Sequence, residues 1–118
     1  MLFQKVDAVL LRVPDIEHGL DFYGTALGHE LLWRRADAAA LRLGDSELVL
    51  STTLDPETDL LVESVDAACR LFVEVGGAVA VAPEDIPVGR VAVVTDPFGN
   101  RLTLVDLSKG AYAGSSGA

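Results

Sequence analysis

The side chains able to do chemistry are few in this sequence. Two histidines, one cysteine and one tryptophan stand among 118 residues. His18 lies two residues from an apolar helical stripe and reads as a solvated surface histidine. His29 follows Gly28, where a large apolar side chain is usual, and reads as a half-buried structural residue. Cys69 reads as a small core residue, and without a second cysteine no internal disulfide can form. Glu57 follows Asp55-Pro56 and has two readings: exposed in a short connection, or turned inward. Turned inward against an apolar wall, its carboxyl would be pushed up by burial and become a general base. Trp33 also has two readings, core packing or the lining of a cavity. No Ser-His-Asp, phosphate-binding or dinucleotide motif is present.

The elements that must position these residues follow from periodicity. Residues 5–13, KVDAVLLRV, read as a strand with apolar side chains on both faces. Pro14 ends it, and Asp15 caps a helix whose stripe is Ile16, Leu20, Tyr23 and Leu27. Gly28 terminates that helix. Strands are expected near 29–35, 38–43 and 47–52, then a fifth through Leu60-Leu61-Val62. Ser64 caps a second helix with the stripe Val65, Ala68, Leu71, Phe72 and Val75, ended by Gly76-Gly77. A strand at 78–82, a loop PEDIPVG, and a hairpin of 91–95 and 101–106 around DPFGN complete the pattern.

The two halves echo each other 49 residues apart. Val13 matches Val62, Asp15 matches Ser64, Ile16 matches Val65, Leu20 matches Cys69 and Gly28 matches Gly77. Strand end, helix cap, helix core and helix terminator recur in order. A duplicated βαβββ module is the economical explanation. It predicts an α+β fold in which two modules form a curved mixed sheet around a cavity, with the helices outside. We place a single domain at 1–110, with modules at about 5–53 and 57–107 and a flexible tail at 111–118.

Bulk properties exclude several function classes. The net charge of −9, with scattered basic residues, argues against nucleic acid as a partner. No apolar run reaches the roughly 20 residues of a membrane helix, and MLFQKVDAV does not read as a secretory signal. The single cysteine fits a cytoplasmic location. Half of the residues are apolar, ample for a packed core.

Three segments carry a family resemblance. RVPDIEHGLDFYGTALGHELL, VESVDAACRLFVEVGGAVAV and VGRVAVVTDPFGNRLTLVD resemble the glyoxalase / bleomycin-resistance / dioxygenase superfamily, the vicinal oxygen chelate fold, over about residues 5–107. The DPxGN hairpin is the most specific element. The fold hosts lyases, epimerases, dioxygenases, thiol transferases and drug-binding proteins, so fold alone does not assign activity. In metal-dependent members four inward His, Glu or Gln side chains hold one divalent cation. The resemblance carries those positions onto Ala8, Leu50, Glu57 and Thr103. Alanine and leucine offer no donor atom and threonine is a poor ligand, so no metal and no cofactor are expected. Strand alternation adds Leu10 and Arg12 to the side of Ala8, and Arg101 to the side of Thr103. The expected ligand-binding set is therefore Ala8, Leu10, Arg12, Trp33, Leu50, Arg101 and Thr103, with Glu57 as the candidate catalytic residue.

The leading functional expectation is a metal-free protein that binds a small molecule, aromatic in character, and sequesters an antibiotic or metabolite, as the resemblance to the bleomycin-resistance branch implies. A metal-independent lyase or isomerase using Glu57 is the alternative, and a divergent metal-dependent glyoxalase or dioxygenase a third. Exposed strand edges and the habits of the family lead us to expect a homodimer.

Overall fold

The structure is a computed structural model that describes residues 1–110. These divide into two compact units, residues 8–58 and residues 1–7 with 59–110. The tail expected to be flexible, 111–118, lies outside the described residues. The fold is α+β, and the element order is strand-helix-strand-strand-strand, twice.

In the unit of residues 8–58, strand β1 (Lys5–Arg12) leads into helix α1 (Ile16–Gly19), then β2 (Leu31–Arg34), β3 (Ala38–Leu43) and β4 (Ser46–Ser51). The strand order is β2-β3-β4-β1. β1 and β4 run parallel, while β2–β3 and β3–β4 are antiparallel. Asp15 caps α1 by accepting from the His18 amide at 2.8 Å. Beyond Gly19 the helix widens into a π-helical segment over Leu20–Ala26, and the Leu27 amide donates to the Phe22 carbonyl. The wider turn explains a departure from the expected stripe. Ile16 is buried and Leu20 and Tyr23 pack on the core, but Leu27 rotates off that face and is 55% exposed. Gly28, at φ 86°, closes the segment in the conformation that favours glycine.

In the other unit, which takes up β5 (Glu57–Leu61) from Asp59 onward, helix α2 (Val65–Glu74), β6 (Ala78–Ile86), β7 (Gly89–Thr95) and β8 (Arg101–Val105) repeat the plan. The strand order is β5-β8-β7-β6, with β5 and β8 parallel. Ser64 caps α2 by accepting from the Ala67 amide. The buried stripe is Val65, Ala68, Cys69 and Phe72, spaced three, one and three apart. Cys69 is buried, whereas Leu71 and Val75, both expected in the stripe, face outward. β6 also differs from expectation, since it continues through Pro83 to Ile86. A proline is tolerated on an edge strand, and the register of β6 shifts on either side of Val81.

One buried carboxylate ties this second unit together. Asp106 follows β8 with only 2% exposure. It accepts from the amides of Val65 (2.8 Å), Arg90 (2.9 Å) and Ser108 (3.2 Å), and from the Ser108 hydroxyl (2.7 Å). The start of α2, β7 and the chain beyond β8 therefore share one anchor. Burial alone would push this carboxyl up; the donors from Val65, Ser108 and Arg90 outweigh it and hold it below the usual carboxylate range.

Candidate ligand-binding face

Register decides which side chains meet. In the unit of residues 8–58, one sheet face packs on the helix. Val9, Leu11, Ala39, Leu41, Leu48 and Leu50 belong to that side, clustered with Val13, Ile16, Leu20 and Tyr23. Strand alternation sends the intervening residues to the other side. There Leu10 pairs with Val49, Val49 with Ala40, and Ala40 with Trp33, forming one row across all four strands. A neighbouring row holds Ala8, Glu47 and Arg42, and a third holds Arg12, Ser51 and Ala38. Four of the expected residues, Ala8, Leu10, Arg12 and Trp33, are thus brought to one face.

Leu50 is not among them. It pairs with Leu11, is fully buried, and packs toward the helix. The position that the resemblance carried onto Leu50 lies one residue from Val49, and a one-residue slip in a strand reverses the face. Val49 occupies the position instead. The same conclusion comes from the repeat: Leu10 pairs with Val49 as its mate Asp59 pairs with Thr103.

The floor of this face is made of small residues. Ala38 and Ala40 are buried, as are Ser51, Ala8 and Leu10. Trp33 is half-buried, and its indole Nε1 donates to Glu47 Oε1 at 3.3 Å. That bond runs from β2 to β4, so the ring lies across β3, where Ala40 leaves room for it. The Arg35 guanidinium carbon lies 4.8 Å from the ring centroid, within cation–π range. Arg12 Nη1 donates to Asp55 Oδ1 at 3.2 Å in an exposed pair. His29, half-buried, donates through Nδ1 to the Arg42 carbonyl at 2.9 Å, a structural role. His18 is exposed and bonds through Nδ1 to Asp15, which raises its pKa.

The other unit has its own face turned away from α2. Leu60, Leu102, Leu104, Ala92 and Val94 point toward the helix. Asp59, Thr103 and Val93 therefore align on the opposite side. Arg101 lies two residues before Thr103 and is exposed. Glu57 opens β5 and is also exposed, which removes the burial that would have made it a base. Asp59, two residues on, is the half-buried carboxylate opposite Thr103. Alternation along Glu57-Thr58-Asp59 was the signal that points to it.

This geometry can be set beside known proteins. Residues 8–105 match the glyoxalase-like domain family. The chain belongs to that family. It thereby falls within the vicinal oxygen chelate superfamily that its motifs resemble. The anthracycline biosynthesis protein DnrV of Streptomyces peucetius is 32% identical over 127 aligned residues, covering 97% of this chain and 46% of DnrV. The chain therefore spans about half the length of that relative. Among solved structures, methylmalonyl-CoA epimerase from Mycobacterium tuberculosis superposes with a TM-score of 0.70 at 18% identity, covering 98% of this chain and 93% of the epimerase. A homoprotocatechuate 2,3-dioxygenase variant from B. fuscum gives 0.68 at 18%, covering 96% and 35%. At such identities these two establish a shared fold.

The donor set of this glyoxalase-like domain does not fit a divalent metal of the superfamily type. Ala8 and Val49, at two of the four positions, have no donor atom. Among the described residues no group of three or more His, Cys, Asp or Glu side chains is gathered to hold an ion. Among the described residues no helix is long and apolar enough to cross a membrane.

Proposed function

We propose that this glyoxalase-like protein binds a flat aromatic small molecule on the Trp33 face, without a metal, and sequesters it without converting it. The observation that carries the reading is the contrast between the two sides of one four-stranded sheet. The helix side is filled by large aliphatic side chains. The other side offers Ala8, Ala38, Ala40 and Ser51 as a low floor with Trp33 across it. Small residues beneath an indole give a low floor and an aromatic surface together, the lining that suits a planar ligand. A fused-ring ligand burying about 150 Å² there would gain about 4 kcal/mol at roughly 25 cal/mol per Å², before association costs are subtracted. The similarity to an anthracycline biosynthesis protein favours a ligand of polycyclic aromatic type, an antibiotic or its precursor. On this reading the protein acts in the cytoplasm as a homodimer.

Trp33 is the single tryptophan, so its fluorescence reports the face directly. Titration with an anthraquinone should quench and shift that emission, and the compound should be recovered unchanged. Emission unaltered at millimolar probe would refute the reading. Elemental analysis should find no stoichiometric divalent metal, and chelator should leave the melting temperature unmoved.

A second reading rests on Asp59. Asp59 is half-buried and its backbone pairs with that of Thr103, and a carboxylate on that strand suits the proton transfer that a metal-independent isomerase requires. Conversion of a bound compound, abolished by Asp59→Asn and retained by Glu57→Gln, would favour catalysis over sequestration.

A further inference from the structure

We infer that the third row of this face is an anion subsite, and that the ligand carries a carboxylate or phenolate on its rim. The inference rests on the Trp33 face being the binding face and adds the chemistry of what binds there. The row begins at Arg35, whose amide donates to the Ala38 carbonyl at 2.7 Å and so continues the β2–β3 register by one residue. Ala38 pairs with Ser51, and Ser51 with Arg12. Two arginines therefore bracket two small buried residues across four strands, a width of about 14 Å at the usual strand spacing. Both side chains are long enough to turn over that floor.

Neither arginine is locked in place. Arg12 is paired with Asp55, whose side chain is 94% exposed, and exposed pairs are weak and exchangeable. Arg35 is exposed and lies over Trp33. A ligand stacked near the indole would carry its rim past both. A planar guanidinium holds a carboxylate through two parallel N–H donors, which a lysine could not reproduce. Arg34 supplies an internal control. It pairs with Ala39 on the helix side and is bonded to Glu17 of α1, so it faces away from the row.

The experiment compares anthraquinone-2-carboxylate with neutral 2-(hydroxymethyl)anthraquinone, titrated calorimetrically into the full chain. The acid should bind at least tenfold more tightly. The Arg12→Gln/Arg35→Gln double variant should lose that preference, binding the two probes within about twofold of each other. Arg34→Gln should keep the preference. Asp55→Asn should strengthen acid binding by up to about fivefold, since it removes the competing carboxylate. Melting temperatures within a few degrees of the parent protein check that the variants fold. Equal binding of the two probes overturns the subsite and leaves the aromatic face standing. Loss of preference in Arg34→Gln as well would assign the effect to general charge and also overturn it. Failure of both probes to bind refutes the face and the subsite together.

Discussion

Replacing Asp106 by asparagine should be among the costliest single-atom exchanges in this protein. The carboxylate takes four hydrogen bonds, three on Oδ1 and one, from Val65, on Oδ2. Asparagine has one acceptor oxygen. With that oxygen in the Oδ1 place, the bonds from Arg90 and Ser108 survive but become neutral, and the new NH₂ meets the Val65 amide donor head on. A buried donor left unsatisfied costs about 1–3 kcal/mol, and bonds to a charged acceptor are worth more than neutral ones. The sum is about 2–4 kcal/mol. At an m value of about 1.5 kcal/mol per molar urea, the denaturation midpoint should fall by about 2 M. The loss should also depend on pH. Because the folded state holds Asp106 below the ordinary carboxylate range, its contribution is present above about pH 3.9, the unfolded value. It is lost as pH falls through the folded value. The gap between parent and variant should therefore be full at pH 7 and narrow in acid. A midpoint within about 0.3 M of the parent at pH 7, or a gap that widens in acid, would refute the argument.

The β4 register predicts opposite phenotypes for adjacent residues. Leu50→Ala should cost about 2–5 kcal/mol of stability, read by urea denaturation, as expected for a fully buried leucine in the helix-side cluster. Val49→Ala should cost less than half of that but alter anthraquinone affinity, read by Trp33 quenching. His18 should titrate above its ordinary value in an NMR experiment, chiefly through its bond to Asp15, and Asp15→Asn should return it toward about 6.5. Any stabilisation from the His18–Asp15 pair is full below the unfolded histidine pKa and fades as pH rises through the folded one.

Much of the fold was legible because it rests on local signals. Asp15 and Ser64 cap where a side-chain oxygen must meet an orphan amide, and Gly28 and Gly76 close helices at positive φ. The 49-residue echo of caps and terminators carried the module order. What escaped depends on geometry that spacing cannot express. The stripe through Leu27 presumes 3.6 residues per turn, and the π-helical segment breaks that presumption. The loop expected at PEDI presumes that proline ends a strand, which fails at a sheet edge.

Which candidate residues share a sheet face traces to the period of a strand. Counting by two from Ala8 puts Leu10 and Arg12 on its face, and the register agrees because β1 has no irregularity between them. The resemblance carried the fourth-strand position onto Leu50, one residue away from Val49, and one residue is a whole face. The same period, applied from Glu57, reaches Asp59, which the resemblance to metal sites passed over because it is not a ligand position. For Trp33 the sequence left two readings open, core packing or cavity lining. Its β2 strand shifts register between Leu31 and Trp33, so alternation counted from the strand's start assigns the indole to the helix side. The bond to Glu47 shows the opposite. A side chain next to a register shift is thus aimed by an irregularity that alternation along the strand does not count.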